Sequence, residues 1–195
     1  MLLGGFLLLN KTPAKSGICP LDNANIITLG DSLANGFGVD ENDSFAMQIP
    51  RILGKNAIKR GIDGEISTEL LARIDRELQV PSIAAIIISI GGNDFLRKTN
   101  NDLIKKNIEI IIKKAKLKSS CIVILGVPDG IFGGLIGDIS SIYKDIADSE
   151  NILLESNAMP RILKQHSLKV DEIHPNKDGH KIITENIINL IKKAH

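Results

Sequence analysis

The sequence predicts a three-layer α/β/α sandwich, a flavodoxin-like fold around a five-stranded parallel sheet. Three observations predict it. Apolar runs of strand length alternate five times with helix-period segments. The runs are continuous in β-branched residues, as at Ile86 to Ile88, which suits strands covered on both faces. Each run closes on glycine, aspartate or a polar turn. Right-handed crossovers then favour the doubly wound arrangement, with ligands at the carboxyl ends of the strands.

With 195 residues and 43% hydrophobic content, the chain has material for one well-packed domain. Residues 1–23 read as a tail and 24–195 as that domain. "LLGGFLLL", Leu2 to Leu9, is too short to span a bilayer and lacks preceding basic residues; it reads either as the remnant of an export signal or anchor or as a functionless tail. The former implies a bacterial periplasm or cell envelope, the latter the cytoplasm.

The strand candidates are "NIITLG" (25–30), "NAIKRG" (56–61), "AAIIISIGG" (84–92), "CIVILGV" (121–127) and "NILLE" (151–155). Helix-period segments "SFAMQIPRILG", "STELLARIDRELQ", "NDLIKKNIEIIIKKAK" and "ISSIYKDIAD" lie between them, and "NKDGHKIITENIINLIKKAH" follows the last. Cys19 and Cys121 are far apart and lack any paired metal spacing, so neither a zinc site nor a disulfide framework is indicated. Net charge is +1 with lysines scattered among acidic residues, which offers no footprint for nucleic acid.

Placed by the strand-end rule, "GDS", "RGIDG", "GGND" and "GVPDG" converge on one rim. Each alone reads as a turn. "GDSLANGFG" fails as a phosphate loop because Phe37 and Gly38 stand where lysine and serine or threonine belong; as a dinucleotide fingerprint it fails because position 41 is Glu. A serine at a strand-to-helix turn is instead a place where a nucleophile is held near backbone N–H groups. Its hydroxyl needs a base, and the base an orienting carboxylate. His174, three residues after Asp171 in "VDEIHPNKDGH", offers both. His166 reads as an exposed helix end, His180 as first-turn residue of the last helix, and His195 as a chain terminus. A metal site at Asp171, His174 and His180 misses helical ligand spacing, so no metal or other cofactor is expected.

The blocks "GDSL" (30–33), Gly64 within "IDGE", "GGND" (91–94) and "DEIHP" (171–175) resemble, in order and spacing, the four signature blocks of the SGNH hydrolase superfamily, the GDSL esterases and lipases. The resemblance covers about residues 24–193. It is nearest the bacterial thioesterase I, lysophospholipase L1 and arylesterase branch, through "LARIDREL" and "DEIHPNKDGH". It implies a serine esterase: Ser32 as nucleophile, His174 as general base, Asp171 orienting it, and an oxyanion hole from the backbone N–H of Ser32 and Gly64 with the Asn93 amide. Asp31 and Asp94 are left to the scaffold, accepting backbone donors in turns. Arg60 and Glu65, around the second block, depart from the family pattern.

Leu33, Phe37, Ile131, Phe132, Leu135 and Ile136 are candidates for an apolar acyl groove, the last four in the glycine-rich "PDGIFGGLIGD". The expected substrates are short to medium acyl esters or thioesters, with no obligatory membrane partner. Activity is expected to rise with pH as the base becomes neutral, around 6.5 for an ordinary imidazole. A carbohydrate O-deacetylase would use the same triad in a more polar cleft. A non-catalytic binding protein on this fold would not be labelled by a fluorophosphonate.

Overall fold

A computed structural model describes residues 19–130 and 137–195. The sheet order is β2-β1-β3-β4-β5, all parallel, with β1 Asn25–Gly30, β2 Asn56–Gly61, β3 Ile83–Ser89, β4 Ile122–Leu125 and β5 Leu153–Glu155. The first two strands coincide with the apolar runs of the sequence. All seven residues of β3 are buried because helices cover both its faces, whereas the edge strand β2 is only partly buried and tolerates Lys59 and Arg60.

On one face α3 (Ser67–Glu77), α5 (Asn101–Lys116) and α6 (Ser141–Glu150) pack side by side; on the other α2 (Phe45–Ile52), α7 (Ala158–Leu163) and α8 (Lys177–Ala194) do the same. Local chemistry starts and stops the long helices. Asn100 caps α5 by accepting from the N–H groups of Asp102 and Leu103, and three lysines in the last turn complement the helix dipole. Ile104, Ile108, Ile111 and Ala115 form its buried stripe. Asn176 caps α8 in the same way.

Register positions the site. Gly30 lies level with Gly61 and Ser89, so the chain leaves three neighbouring strands at one height. Gly30 is obligatory: its φ is +133° and a Cβ there would sit 1.6 Å from the Ser89 carbonyl oxygen. Two short helices follow at once, α1 (Ser32–Asn35) after β1 and α4 (Gly92–Leu96) after β3.

One reading of the sequence is corrected. Cys19 and Cys121, 102 residues apart, form a disulfide with their Cα atoms 4.3 Å from each other. Spacing could not show this, because the pair meets only when β4 and the end of α8 are in place. The Cys19 N–H donates to the Ala194 carbonyl, and His195 Nδ1 lies 2.7 Å from the Cys19 carbonyl oxygen.

Candidate active site

Ser32 opens α1 directly after β1. Asp31 caps that turn, its carboxylate accepting from the Leu33 N–H at 3.0 Å and the Ser89 hydroxyl at 3.3 Å. Burial pushes the Asp31 carboxyl up to about 7, against the downward pull of those hydrogen bonds. It therefore serves the turn, as the sequence suggests, while sitting beside the hydroxyl in a largely dry setting.

The distant partner arrives on the loop between the 3-10 turn His166–Leu168 and α8. A single antiparallel bridge, Lys169 to Pro175, closes this loop, and the Val170 N–H donates to the His174 carbonyl. Inside it the two oxygens of Asp171 divide their work. Oδ1 accepts from the N–H groups of Ile173 and His174, and Oδ2 lies 2.7 Å from His174 Nδ1. Burial pushes the Asp171 carboxyl up, but these three hydrogen bonds prevail and hold it below the ordinary carboxylate range. The opposite ring nitrogen, His174 Nε2, lies 3.0 Å from Ser32 Oγ. Residues 142 apart in sequence thus form a continuous hydrogen-bonded chain, Asp171 to His174 to Ser32.

Asn93, first turn of α4, lines the same cleft, and its amide donates to the Glu65 carbonyl at 3.0 Å. Asp94, beside it, is buried and accepts from the Ser67 N–H and hydroxyl at the head of α3. Burial raises its carboxyl above the usual value despite those bonds. Gly64 occupies the intervening loop with φ +77°, and its carbonyl accepts from Arg97. It lines a neighbouring groove with Ile62, Glu65, Glu69, Arg73 and Arg97, while Asn93 lines the cleft beside Ser32.

That cleft encloses about 360 Å³ open to solvent, walled by Leu33, Leu96, Val127, Met159, Leu163 and Ile173. Of the six apolar candidates, Leu33 is there. Phe37 is instead half-exposed and lies against the His174 ring, centroids 4.4 Å apart. Ile131, Phe132, Leu135 and Ile136 lie outside the described residues. Met159 and Leu163 come from α7, whose six residues around Pro160 give too little periodicity to be read as a helix in advance.

His180 does not join His174 as a ligand pair. It is buried in the first turn of α8, its Nδ1 accepting from the Phe45 N–H and its ring stacked on Phe45, while Nε2 meets no hydrogen-bond partner among the described residues. Burial drives its imidazole down to about 4, with the charge of His174 adding to the effect.

Among known proteins, the chain is 24% identical to Esterase TesA of Pseudomonas aeruginosa over 179 residues, covering 86% of this chain and 87% of that protein. It is 23% identical to Thioesterase 1/protease 1/lysophospholipase L1 of Escherichia coli K12, covering 82% and 79%. Among solved structures, a crystal structure of TesA superposes with a TM-score of 0.74 at 20% identity, covering 86% of this chain and 98% of that one. The psychrotrophic esterase EstA of Pseudoalteromonas sp. gives 0.72 at 22%, covering 88% and 98%. The signature of the GDSL-like Lipase/Acylhydrolase family matches residues 28–182, from within β1 to within α8. With so much of the domain accounted for, the chain belongs to the GDSL-like lipase/acylhydrolase family of hydrolases.

Proposed function

We propose that the protein is a serine esterase cleaving short to medium acyl esters or thioesters through an acyl-enzyme intermediate. The observation that carries this reading is the hydrogen-bonded chain from Asp171 through both nitrogens of His174 to Ser32 Oγ. Ser32 Oγ attacks the acyl carbonyl as His174 Nε2 takes its proton, and Asp171 Oδ2 stabilises the imidazolium through Nδ1. The carbonyl oxygen, now anionic, is received by the Ser32 and Gly64 N–H groups and the Asn93 amide, donors that gain strength in a site largely cleared of water. Collapse expels the alcohol or thiol, which leaves with the proton from His174. A water molecule then attacks the acyl-enzyme with His174 again as base, releasing the acid and restoring Ser32.

The apolar wall of Leu33, Leu96, Val127, Met159, Leu163 and Ile173 favours an acyl chain over a sugar. The Cys19–Cys121 bond favours an oxidising compartment. A nitrophenyl ester series from acetate upward tests the reading. Turnover is expected to be highest at short to medium chains and lost in Ser32→Ala, with fluorophosphonate labelling lost in the same variant. A strict preference for long chains, or labelling that survives the substitution, would count against it.

A further inference from the structure

The two residues that depart from the family pattern, Arg60 and Glu65, both belong to one charge cluster below the Gly64 loop, Glu65 buried and Arg60 at its exposed margin. Glu65 is turned inward with its side chain 3% exposed, an arrangement that costs heavily in desolvation unless the charge is met. Arg73, in the middle of α3 and itself 10% exposed, meets it. Nη2 donates to Glu65 Oε2 at 2.7 Å while Nε reaches Oε1, the two-pronged geometry that suits a planar guanidinium. The same Nη2 also donates to the Arg60 carbonyl at 2.8 Å and reaches the Gly30 carbonyl at 3.5 Å, so one side chain ties the ends of β1 and β2 to the loop between β2 and α3. Burial opposes the Arg73 charge, but Glu65 and Glu77 outweigh it and raise its affinity for the proton. Arg60 pairs with Glu77 at 3.1 Å and completes the cluster.

We propose that Arg73, acting through Glu65, is a positioning residue for the oxyanion donors: it clamps the loop of Gly64 and Glu65 and, through the Glu65 carbonyl, fixes the Asn93 amide in the cleft where charge develops beside Ser32. The link to Asn93 is direct. Its amide donates to the main-chain carbonyl of Glu65, the residue whose side chain Arg73 grips. From above, Arg97 Nη2 donates to the Gly64 carbonyl at 2.8 Å, so the loop is held from α3 and α4 at once. Glycine at 64, with φ +77°, leaves the loop little intrinsic stiffness of its own. Oxyanion stabilisation depends on donors already fixed before the reaction, so a loosened loop weakens binding of the transition state more than that of the substrate.

The inference rests on the esterase reading, and wild-type turnover of a nitrophenyl ester, measured first, separates the two: its absence counts against that reading before any variant is compared. Given turnover, kcat is measured per site titrated with a fluorophosphonate in Arg73→Lys, Glu65→Gln and Arg97→Met. An ammonium cannot bridge the acceptors that Arg73 spans, so Arg73→Lys and Glu65→Gln are each expected to lower kcat per titrated site by at least about tenfold, with KM within about threefold of wild type. The pH midpoint of kcat/KM should not move. A kcat per titrated site within about twofold of wild type, with only the melting temperature or the titratable fraction reduced, would show that the cluster merely stabilises the fold and would overturn the proposal. If neither of those variants folds, the exposed Arg97 decides. Arg97→Met is expected to lower kcat about threefold or more, and an unchanged value refutes the clamp.

Discussion

His174 and His180 stand six residues apart in one stretch of sequence, and each rests on a phenylalanine ring, yet they are put to opposite uses. His174 lies over Phe37 at the solvent boundary with both nitrogens engaged, one by Asp171 and the other by Ser32. His180 lies on Phe45 in the core, one nitrogen engaged by a backbone N–H and the other by none of the described residues, and burial keeps it neutral. The aromatic neighbour therefore does not decide what an imidazole does. A base needs a partner that stabilises its protonated form and an outlet for the proton. The part-buried ring at the solvent boundary has both, whereas the fully buried one acts as an apolar wedge carrying a single acceptor.

The largest expected effect tests that contrast in kinetics. His174→Ala should lower kcat by at least about 10⁴-fold with little change in melting temperature, and Asp171→Asn by about 10²–10⁴-fold. His180→Leu should keep kcat within about tenfold while destabilising the fold by about 1–3 kcal/mol, because the Phe45 N–H loses its acceptor. Comparable kinetic losses at the two histidines would dissolve the comparison.

Acid titration of stability sharpens it next. His180 has a folded value of about 4 against an ordinary 6.5, so the unfolded chain takes up the proton first; stability is full above 6.5 and falls as pH drops towards 4. Asp31, about 7 when folded against 3.8, has the opposite sign: its contribution is full below 3.8 and is lost as pH rises to 7. His180 is worth about 3 kcal/mol and Asp31 about 4 kcal/mol across their windows, so the two slopes largely offset each other between pH 4 and 7 while the single variants unmask each one. By chemical denaturation, His180→Leu should lose stability with rising pH and Asp31→Asn should gain it. Parallel, flat profiles in both would mean that neither burial matters.

The smallest effect concerns the contact of Phe37 with the His174 ring. Phe37→Ala removes one side of the packing around His174 and should lower kcat/KM by about three- to tenfold, in line with the worth of an aromatic contact near solvent. A change in the ester chain-length preference instead would return Phe37 to the substrate groove, where the sequence suggested it.

What the sequence disclosed and what it hid divide along the same line between local and long-range causes. β1, β2 and α5 were legible to the residue because strand burial and helix periodicity are written in neighbouring side chains. Ser32 was legible because strand ends in a parallel sheet converge, and Asp171 with His174 because they stand three residues apart in one polar loop before the last helix. The Glu65–Arg73 grip was not, since whether a loop carboxylate turns inward depends on the path of the loop between β2 and α3. Nor were the walls from α7, a single Pro-containing turn and a half with no sustained period. The Cys19–Cys121 pairing needed the whole topology, because its halves meet only beside the finished end of α8.

That crosslink also orients the molecule. Cys121 stands just ahead of β4, on the margin of the sheet where strands begin, whereas Ser32 stands where β1 has ended. The disulfide is therefore held on the molecule's back, away from the rim that carries Ser32. A surface or bulky group attached to that back face should leave the front unobstructed to arriving ester.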